Sequence, residues 1–428
     1  MKILVVGGGG REHALCWALA RENPEAQLYC APGNPGTAAL ARNLPIPADA
    51  VDRLAEAADA LAVDLTVVGP ELPLARGLAD RLRARRRAVV GPSAAAARIE
   101  ASKAFAKEVM AAAGVPTASS RTFTELRAAL AYVDGHPEPL VVKASGLAAG
   151  KGAVVCATRG EARAALRAML EEGKFGEAGR TVVVEEFLSG EELSLLALTD
   201  GTEVELLPAA QDHKRLLEGD RGPNTGGMGA YSPVSLATPA LLDRAAREIF
   251  LPTLERLRRD GTPFSGVLYA GVMLEPDGGL RVVEFNCRLG DPETQAVLPR
   301  VAGGLTDALI RVAEGRPPSP VRVRETAAVT TVLAARGYPE TPETGAPIAL
   351  PGDLPEGVVV FHGGTTCDRS GVLRVAGGRV LAVTGVAAGF AEAQRLSREA
   401  AERVGFEGKQ YRRDIGWREA GRQQPSAV

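Results

Sequence analysis

Cysteine is scarce and scattered. The five residues, Cys16, Cys30, Cys156, Cys287 and Cys367, form no Cys-x-x-Cys pair and have only four histidines beside them, which argues against a disulfide framework and a structural zinc site. A dominant charge is missing as well. Fifty Lys and Arg against 52 Asp and Glu leave a net charge of -2, without the basic footprint that binds nucleic acid or an anionic membrane. Any nucleotide partner is therefore expected to be small. No apolar run approaches the roughly 20 residues of a membrane helix, and the one in Met1 to Gly7 is too short for a signal peptide. The sequence reads as cytoplasmic. What is present is an ordinary globular composition, 46% apolar and 24% charged, long enough at 428 residues for two to four domains.

The richest stretch is Val282-Val283-Glu284-Phe285-Asn286-Cys287-Arg288-Leu289-Gly290-Asp291-Pro292-Glu293-Thr294-Gln295. It opens as an apolar strand, on which alternation places the Glu284 carboxylate and the Asn286 carboxamide on one face. Oxygen ligands of this kind suit Mg²⁺ or Mn²⁺, hard ions that bind through one or two protein groups plus substrate phosphates and water. Arg288 falls on the same face if the strand continues, adding a fork for an anion.

Earlier in the chain, a strand from Lys2 to Val6 runs into Gly7-Gly8-Gly9-Gly10 and a helix from Arg11 to Asn23. Such a turn lets phosphate oxygens approach backbone N–H groups at a helix start, so Gly9, Gly10 and Arg11 form a candidate phosphate site. It is not a dinucleotide fingerprint, because the third glycine falls on Glu12 and the next strand, Gln27 to Cys30, ends without an acidic residue. Strands at 65–68 and 88–90 alternate with helices at 51–62 and 74–87, predicting a doubly wound α/β domain that closes near residue 100. A helical stretch from Ser93 to Ala113 follows, with Lys103 and Lys107 on one face and a solvated surface as their default setting.

Between the strands 140–143 and 153–156 lies Ala144-Ser145-Gly146-Leu147-Ala148-Ala149-Gly150-Lys151-Gly152. Its position between two strands, its short glycine spacing and the lack of Ser or Thr after Lys151 exclude a P-loop. A glycine flap closing over a triphosphate, with Gly146, Gly150, Lys151 and Gly152 facing the charge, fits better. The densest polar run is Gln211-Asp212-His213-Lys214-Arg215, then Gly222 to Pro233 including Asn224 and Gly229. It suits a small zwitterionic or phosphorylated ligand. His213 is read as structural. The prolines 317, 318 and 320 mark a linker, beyond which strands at 327–334, 357–361, 372–376 and 379–383 and a helix at 388–403 carry few reactive groups.

The run Arg288 to Gln295, the polar run 211–233 and the closing Tyr411-Arg412-Arg413-Asp414-Ile415-Gly416 resemble the phosphoribosylamine glycine ligase family of the ATP-grasp superfamily, over about residues 1 to 417. The resemblance implies an N-terminal doubly wound α/β domain (1–101), an ATP-grasp core (102–120 and 191–325), a small lid (121–190), a C-terminal mixed β/α domain (326–420) and a disordered tail (421–428). It implies ATP, glycine and 5-phosphoribosylamine as substrates, glycinamide ribonucleotide, ADP and phosphate as products, and Mg²⁺ or Mn²⁺ on Glu284 and Asn286. By the same resemblance Glu185, Glu186 and Leu188 lie at adenine, Glu192 at ribose, and Lys103 and Lys143 at the phosphates. Gly9, Gly10, Arg11, Asn34 and Arg288 are implied for phosphoribosylamine, and Asp212, Lys214 and the Asn224 to Gly229 loop for glycine. Catalysis would rest on Arg288, Lys143 and Asp212. Ser145 departs from the family, where an acidic residue is expected. The reading leaves open a transient hand-over of the unstable amine from the enzyme that makes it. Its rivals are an ATP-grasp ligase acting on another amine and a non-catalytic nucleotide sensor.

Overall fold

The computed structural model describes residues 1–148 and 151–423. Its first layer is a five-stranded parallel sheet ordered 42–43, 27–32, 2–7, 65–68, 89–90. The interior strands are apolar along their length because helices cover both faces. Strand order reverses between Lys2–Gly7 and Leu65–Val68, so their carboxyl ends form the crevice where doubly wound sheets bind ligands. The helix Gly10–Glu22 starts there.

Two predicted helices are broken. The stretch 74–87 becomes Glu71–Ala75 and Leu78–Ala84, separated by Gly77 at φ +81°, a conformation glycine adopts without steric cost. The stretch 93–113 becomes Ala94–Ala101 and Lys103–Ala113. Ser102 ends the first and caps the second, its hydroxyl accepting from Phe105 N at 3.2 Å.

A central antiparallel sheet is ordered 204–206, 191–199, 266–274, 280–286, and a second antiparallel sheet, 120–123, 182–186, 140–144, 153–156, carries the flap. The flap sheet packs the helices Leu126–Asp134 and Arg159–Leu170 into a hydrophobic cluster of its own. The C-terminal sheet is ordered 211–212, 229–232, 327–334, 379–387, 358–362, with the helix Phe390–Arg403 packed on it. Its first two strands come from the polar run, so the sheet crosses the boundary expected at 326. Of the tail expected over 421–428, Gly421 to Gln423 finish the helix Trp417–Gln423, and 424–428 lie outside the described residues. Among the described residues no helix is long and apolar enough to cross a membrane.

Candidate active site

The strand Leu280–Asn286 carries a β-bulge. Gly271 opposes Glu284 while Val272 opposes Val282, leaving Val283 without a ladder partner. The extra residue turns the strand over: Val282, Phe285 and Cys287 enter the core, and Glu284 and Asn286 face outward together. The orphaned carbonyl of Val283 accepts from Lys143 Nζ at 3.0 Å. Strand geometry stops at Asn286, yet Arg288 stays at the site. Its Nη2 donates to Glu100 Oε1 at 2.8 Å and its Nε to Glu71 Oε2 at 3.2 Å. The Cys287 amide donates to Glu100 Oε2 at 2.7 Å. The Asn286 carboxamide lies with one end against two acceptors, Glu100 Oε1 and Phe285 O, each at 3.1 Å; its nitrogen is assigned to that end, where it donates to both. Burial opposes ionisation of Glu284, but Lys214, Lys103, Lys143 and Arg288 outweigh it and lower its pKa. Burial dominates at Glu100 and raises its pKa despite Arg288.

An ionised carboxylate and an amide oxygen on one strand face suit a hard divalent cation whose remaining ligands come from phosphates and water. Among the described residues no group of three or more His, Cys, Asp or Glu forms a metal cage.

Opposite this strand the lid sheet supplies Lys143 and Glu185. The Glu185 carboxylate sits 2.8 Å from Lys143 Nζ and 3.3 Å from Lys107 Nζ, and all three side chains are at most 9% exposed. Lys107 is thus not solvated as expected. Its Nζ also donates to Thr117 Oγ1 and Ala118 O at 2.9 and 3.0 Å, and burial lowers its pKa to about 8 against the pull of Glu185. Lys103 starts the helix at Ser102, and its side chain makes no hydrogen bond or ion pair among the described residues. Burial lowers its pKa, with Glu284 resisting and Lys143 assisting. Ser145 pins that helix start: its carbonyl accepts from Lys103 N at 2.8 Å and its hydroxyl from Ala104 N at 3.1 Å.

A second acid and base group lies across the central sheet. Lys214 pairs with Glu192 and stands 3.9 Å from Glu284. Asp212 is pushed up to about 8, chiefly by burial, with Lys214 opposing and Glu293, Glu192 and Glu284 adding to the shift. Glu293 accepts from Ser194 Oγ and from Tyr269 Oη, each at 3.0 Å.

At the crevice of the first sheet, Arg11 and Arg288 both donate to the carbonyl of Leu289, at 3.2 and 3.1 Å. Two guanidinium groups from separate domains thus meet beside the start of the helix at Gly10, an arrangement fitted to a phosphate. Gly9 N donates to Glu12 Oε2 at 2.6 Å, and Arg11 Nε to Glu12 Oε1. Asn34 is largely spent on the backbone: its Nδ2 donates to Gly8 O and His362 O at 3.0 and 2.8 Å, and its Oδ1 accepts from Gly36 N at 2.8 Å. The C-terminal domain reaches in through Arg379, which pairs with Asp291 at 3.1 Å and donates to Gly226 O, while Tyr338 Oη accepts from Gly226 N at 2.9 Å.

The structure therefore brings together Glu284, Asn286, Lys103, Lys143, Glu185, Glu192, Asp212 and Lys214, with Gly9, Gly10, Arg11 and Arg288 at the crevice. Most of the other expected residues are engaged within the fold. Glu186 pairs with Arg281 and accepts from Ser119 N at 2.7 Å, and Leu188 is buried after the strand Val182–Glu186. Asn224 ends the hairpin formed by 215–217 and 221–224. Gly229 lies inside the C-terminal sheet, where a Cβ would meet Thr330 O at 2.5 Å. His213 is structural, accepting from Gly416 N at 3.2 Å with its pKa lowered by burial to about 3. In the flap, Gly146 packs on Ala178, Lys151 is exposed and Gly152 faces Ala148. Gly150 lies outside the described residues.

Glu100, Lys107 and Arg379 were not anticipated at the site, because nothing local signals their distant partners; Glu293, in the run 282–295, and Glu71, at the end of the strand 65–68, fell in stretches already marked but without roles of their own.

The chain matches three family models in succession: phosphoribosylglycinamide synthetase N domain over residues 1–100, ATP-grasp (A) domain over 101–294 and C domain over 328–418. It is 48% identical over 419 residues to the phosphoribosylamine–glycine ligase of Ralstonia nicotianae, covering 98% of this chain and 99% of that one. It is 47% identical over 424 residues to the protein of that name from Chlorobaculum tepidum, with 97% and 99% covered. The crystal structure of phosphoribosylamine–glycine ligase from Thermotoga maritima superposes with a TM-score of 0.84 at 35% identity, covering 97% of this chain and all of that one. The biotin carboxylase domain of Hydrogenobacter thermophilus 2-oxoglutarate carboxylase, solved with MgADP and bicarbonate, shares the fold at a TM-score of 0.72 and 17% identity over 96% of this chain and 91% of its own. With all three domain models matched in order and close relatives aligned end to end, the chain belongs to the phosphoribosylglycinamide synthetase family.

Proposed function

We propose that the chain is a cytoplasmic, ADP-forming carbon–nitrogen ligase that joins glycine to 5-phosphoribosylamine in purine biosynthesis, through glycyl phosphate. The observation that carries this reading is the meeting of two charged groups at one bulged strand. On one side stand Glu284, Asn286, Lys103 and Lys143; on the other, Asp212, Lys214 and Glu192, with the arginine pair Arg11 and Arg288 at the crevice beyond.

ATP would lie between the central sheet and the lid. Lys143, held by Glu185 and the Val283 carbonyl, faces the phosphates together with Lys103. Glu284 and Asn286 would hold Mg²⁺ or Mn²⁺, which neutralises charge on the transferring phosphate. Glycine carboxylate attacks the γ-phosphorus and ADP leaves, which turns a poor electrophile into an acyl phosphate. The amine of phosphoribosylamine then attacks the glycyl carbonyl, the C–O bond to phosphate breaks, and the nitrogen loses a proton. No protein nucleophile takes part, so the rate comes from positioning and charge.

Asp212 is suited to the glycine ammonium. Its proton is held to about 8 in the free site because burial and three neighbouring carboxylates disfavour the anion, and an arriving cation reverses that balance. The crevice arginines and the helix start at Gly10 would take the phosphate of phosphoribosylamine.

The test is ADP release with Mg²⁺ and glycine alone, phosphoribosylamine alone, or both, with alanine in place of glycine as control. Release only with both substrates supports the reading, and Glu284→Ala should abolish it in a folded protein. Release with a different amine would retain ATP-grasp chemistry and discard the substrate. Silence under every combination from ATP-binding protein would leave a nucleotide sensor.

A further inference from the structure

We infer that Glu100 is the positioning residue of the site, the one carboxylate that aims both the metal-ligating amide and the anion-binding arginine. It lies in the helix Ala94–Ala101, outside the strand it organises, with 8% of its surface exposed. Three successive residues donate to it: Cys287 through its backbone N–H at 2.7 Å, Arg288 through Nη2 at 2.8 Å, and Asn286 at 3.1 Å through the end of its carboxamide assigned as nitrogen. The geometry has a directional consequence. An ionised carboxylate only accepts hydrogen bonds, so Glu100 favours the orientation of Asn286 that turns its nitrogen inward and its oxygen the other way. The Phe285 carbonyl accepts from the same nitrogen at 3.1 Å, so Glu100 and the backbone hold the amide together, and a donor in place of the carboxylate would oppose that orientation and favour one that presents N–H groups to a cation. The same carboxylate fixes one end of the Arg288 fork, whereas Glu71 touches Arg288 only at Nε. Partners of this kind orient the groups that ligate a metal, and removing one costs roughly 10- to 100-fold in affinity.

The inference rests on the metal reading of Glu284 and Asn286, and the test separates the two. Mn²⁺ binding is measured by electron paramagnetic resonance on wild type, Glu284→Gln, Glu100→Gln and Glu71→Gln, each with ADP and without turnover. Thermal unfolding of each variant is recorded alongside. Glu100→Gln keeps the side-chain shape but replaces one acceptor by a donor. It should weaken Mn²⁺ binding by roughly 10-fold or more, while Glu71→Gln, which leaves Asn286 and Cys287 untouched, should bind Mn²⁺ as wild type does. Wild-type Mn²⁺ affinity in Glu100→Gln would overturn the inference alone, as would equal weakening in Glu71→Gln. A wild type that binds no Mn²⁺ would overturn the metal reading and this inference with it. If Glu100→Gln does not fold, Glu100→Asp decides, since it keeps the charge and loses the reach; it should show the same weakening, and wild-type affinity would refute the role.

Discussion

Glu185→Gln removes the one negative charge between two buried lysines. With an effective dielectric constant of about 20, the Glu185 carboxylate attracts Lys143 by about 6 kcal/mol at 2.8 Å and Lys107 by about 5 kcal/mol at 3.3 Å. Most of that gross attraction offsets desolvation. Breaking a buried pair by deleting one partner leaves a net loss of about 3 to 5 kcal/mol. The loss should depend on pH in a definite direction. Burial already holds Lys107 at about 8, below its unfolded value, so the folded protein gains stability as pH rises between the two. Without Glu185 the folded value drops further, and the gain begins at lower pH. The gap between variant and wild type should therefore narrow from pH 7 to pH 9, by at most about 1.4 kcal/mol, because the wild-type value of about 8 lies only one unit above pH 7. Urea unfolding at the two pH values measures both effects. A variant within about 1 kcal/mol of wild type at pH 7 would refute the buried-triad account, as would a gap that does not change with pH.

Asp212→Asn should lower kcat/KM for glycine by roughly 30-fold, equivalent to about 2 kcal/mol for a buried charge left without its partner. In the wild type kcat/KM for glycine should rise with pH up to about 8, where Asp212 loses its proton, and the variant should lose that rise; an unchanged profile would count against its role. Arg379→Met should raise KM for glycine with a smaller effect on ATP, because Arg379 holds Gly226 and Asp291 in place from the C-terminal domain; equal effects on both substrates would point to general loosening. His13 accepts from His362 N at 2.8 Å, and its pKa is lowered to about 3, by burial first and His362 second. A base with a depressed folded pKa costs stability as pH falls from its unfolded value, so at pH 5 the protein should have lost about 2 kcal/mol on this account. In His13→Asn, whose side-chain oxygen can still accept from His362, urea titrations at pH 7 and 5 should show that acid sensitivity reduced by the same amount; an unchanged dependence would place it elsewhere.

The strands and most helices were legible because each carries its own local pattern. Leu65–Val68 and Ala153–Cys156 begin and end where their apolar runs place them. The breaks at Gly77 and Ser102 were hidden because helical spacing continues through both. The bulge at Val283 was also invisible: a simple strand puts Glu284 and Asn286 on one face, but only the register with Gly271 reveals that Val282 has been turned to the opposite one. Lys107 was misread for a related reason. Spacing of four placed it beside Lys103 on one helix face, and nothing local shows that this face meets Glu185 from a strand about 80 positions away. Glu100 and Arg379 act across domains, so their partners appear only once the chain is folded. The polar run 211–233 was recognised as a site, but its strands were taken for loop because two- to four-residue pairings carry too little periodicity to read.

Activation of the glycine carboxylate is tested by following oxygen rather than activity. With glycine labelled by ¹⁸O in both carboxylate oxygens, attack of the carboxylate on the γ-phosphorus and later loss of phosphate must carry one labelled oxygen into the inorganic phosphate. Mass spectrometry of phosphate released with ATP, Mg²⁺ and phosphoribosylamine should find one ¹⁸O per product formed. Phosphate free of label, with glycinamide ribonucleotide still made, would contradict activation of the glycine carboxylate.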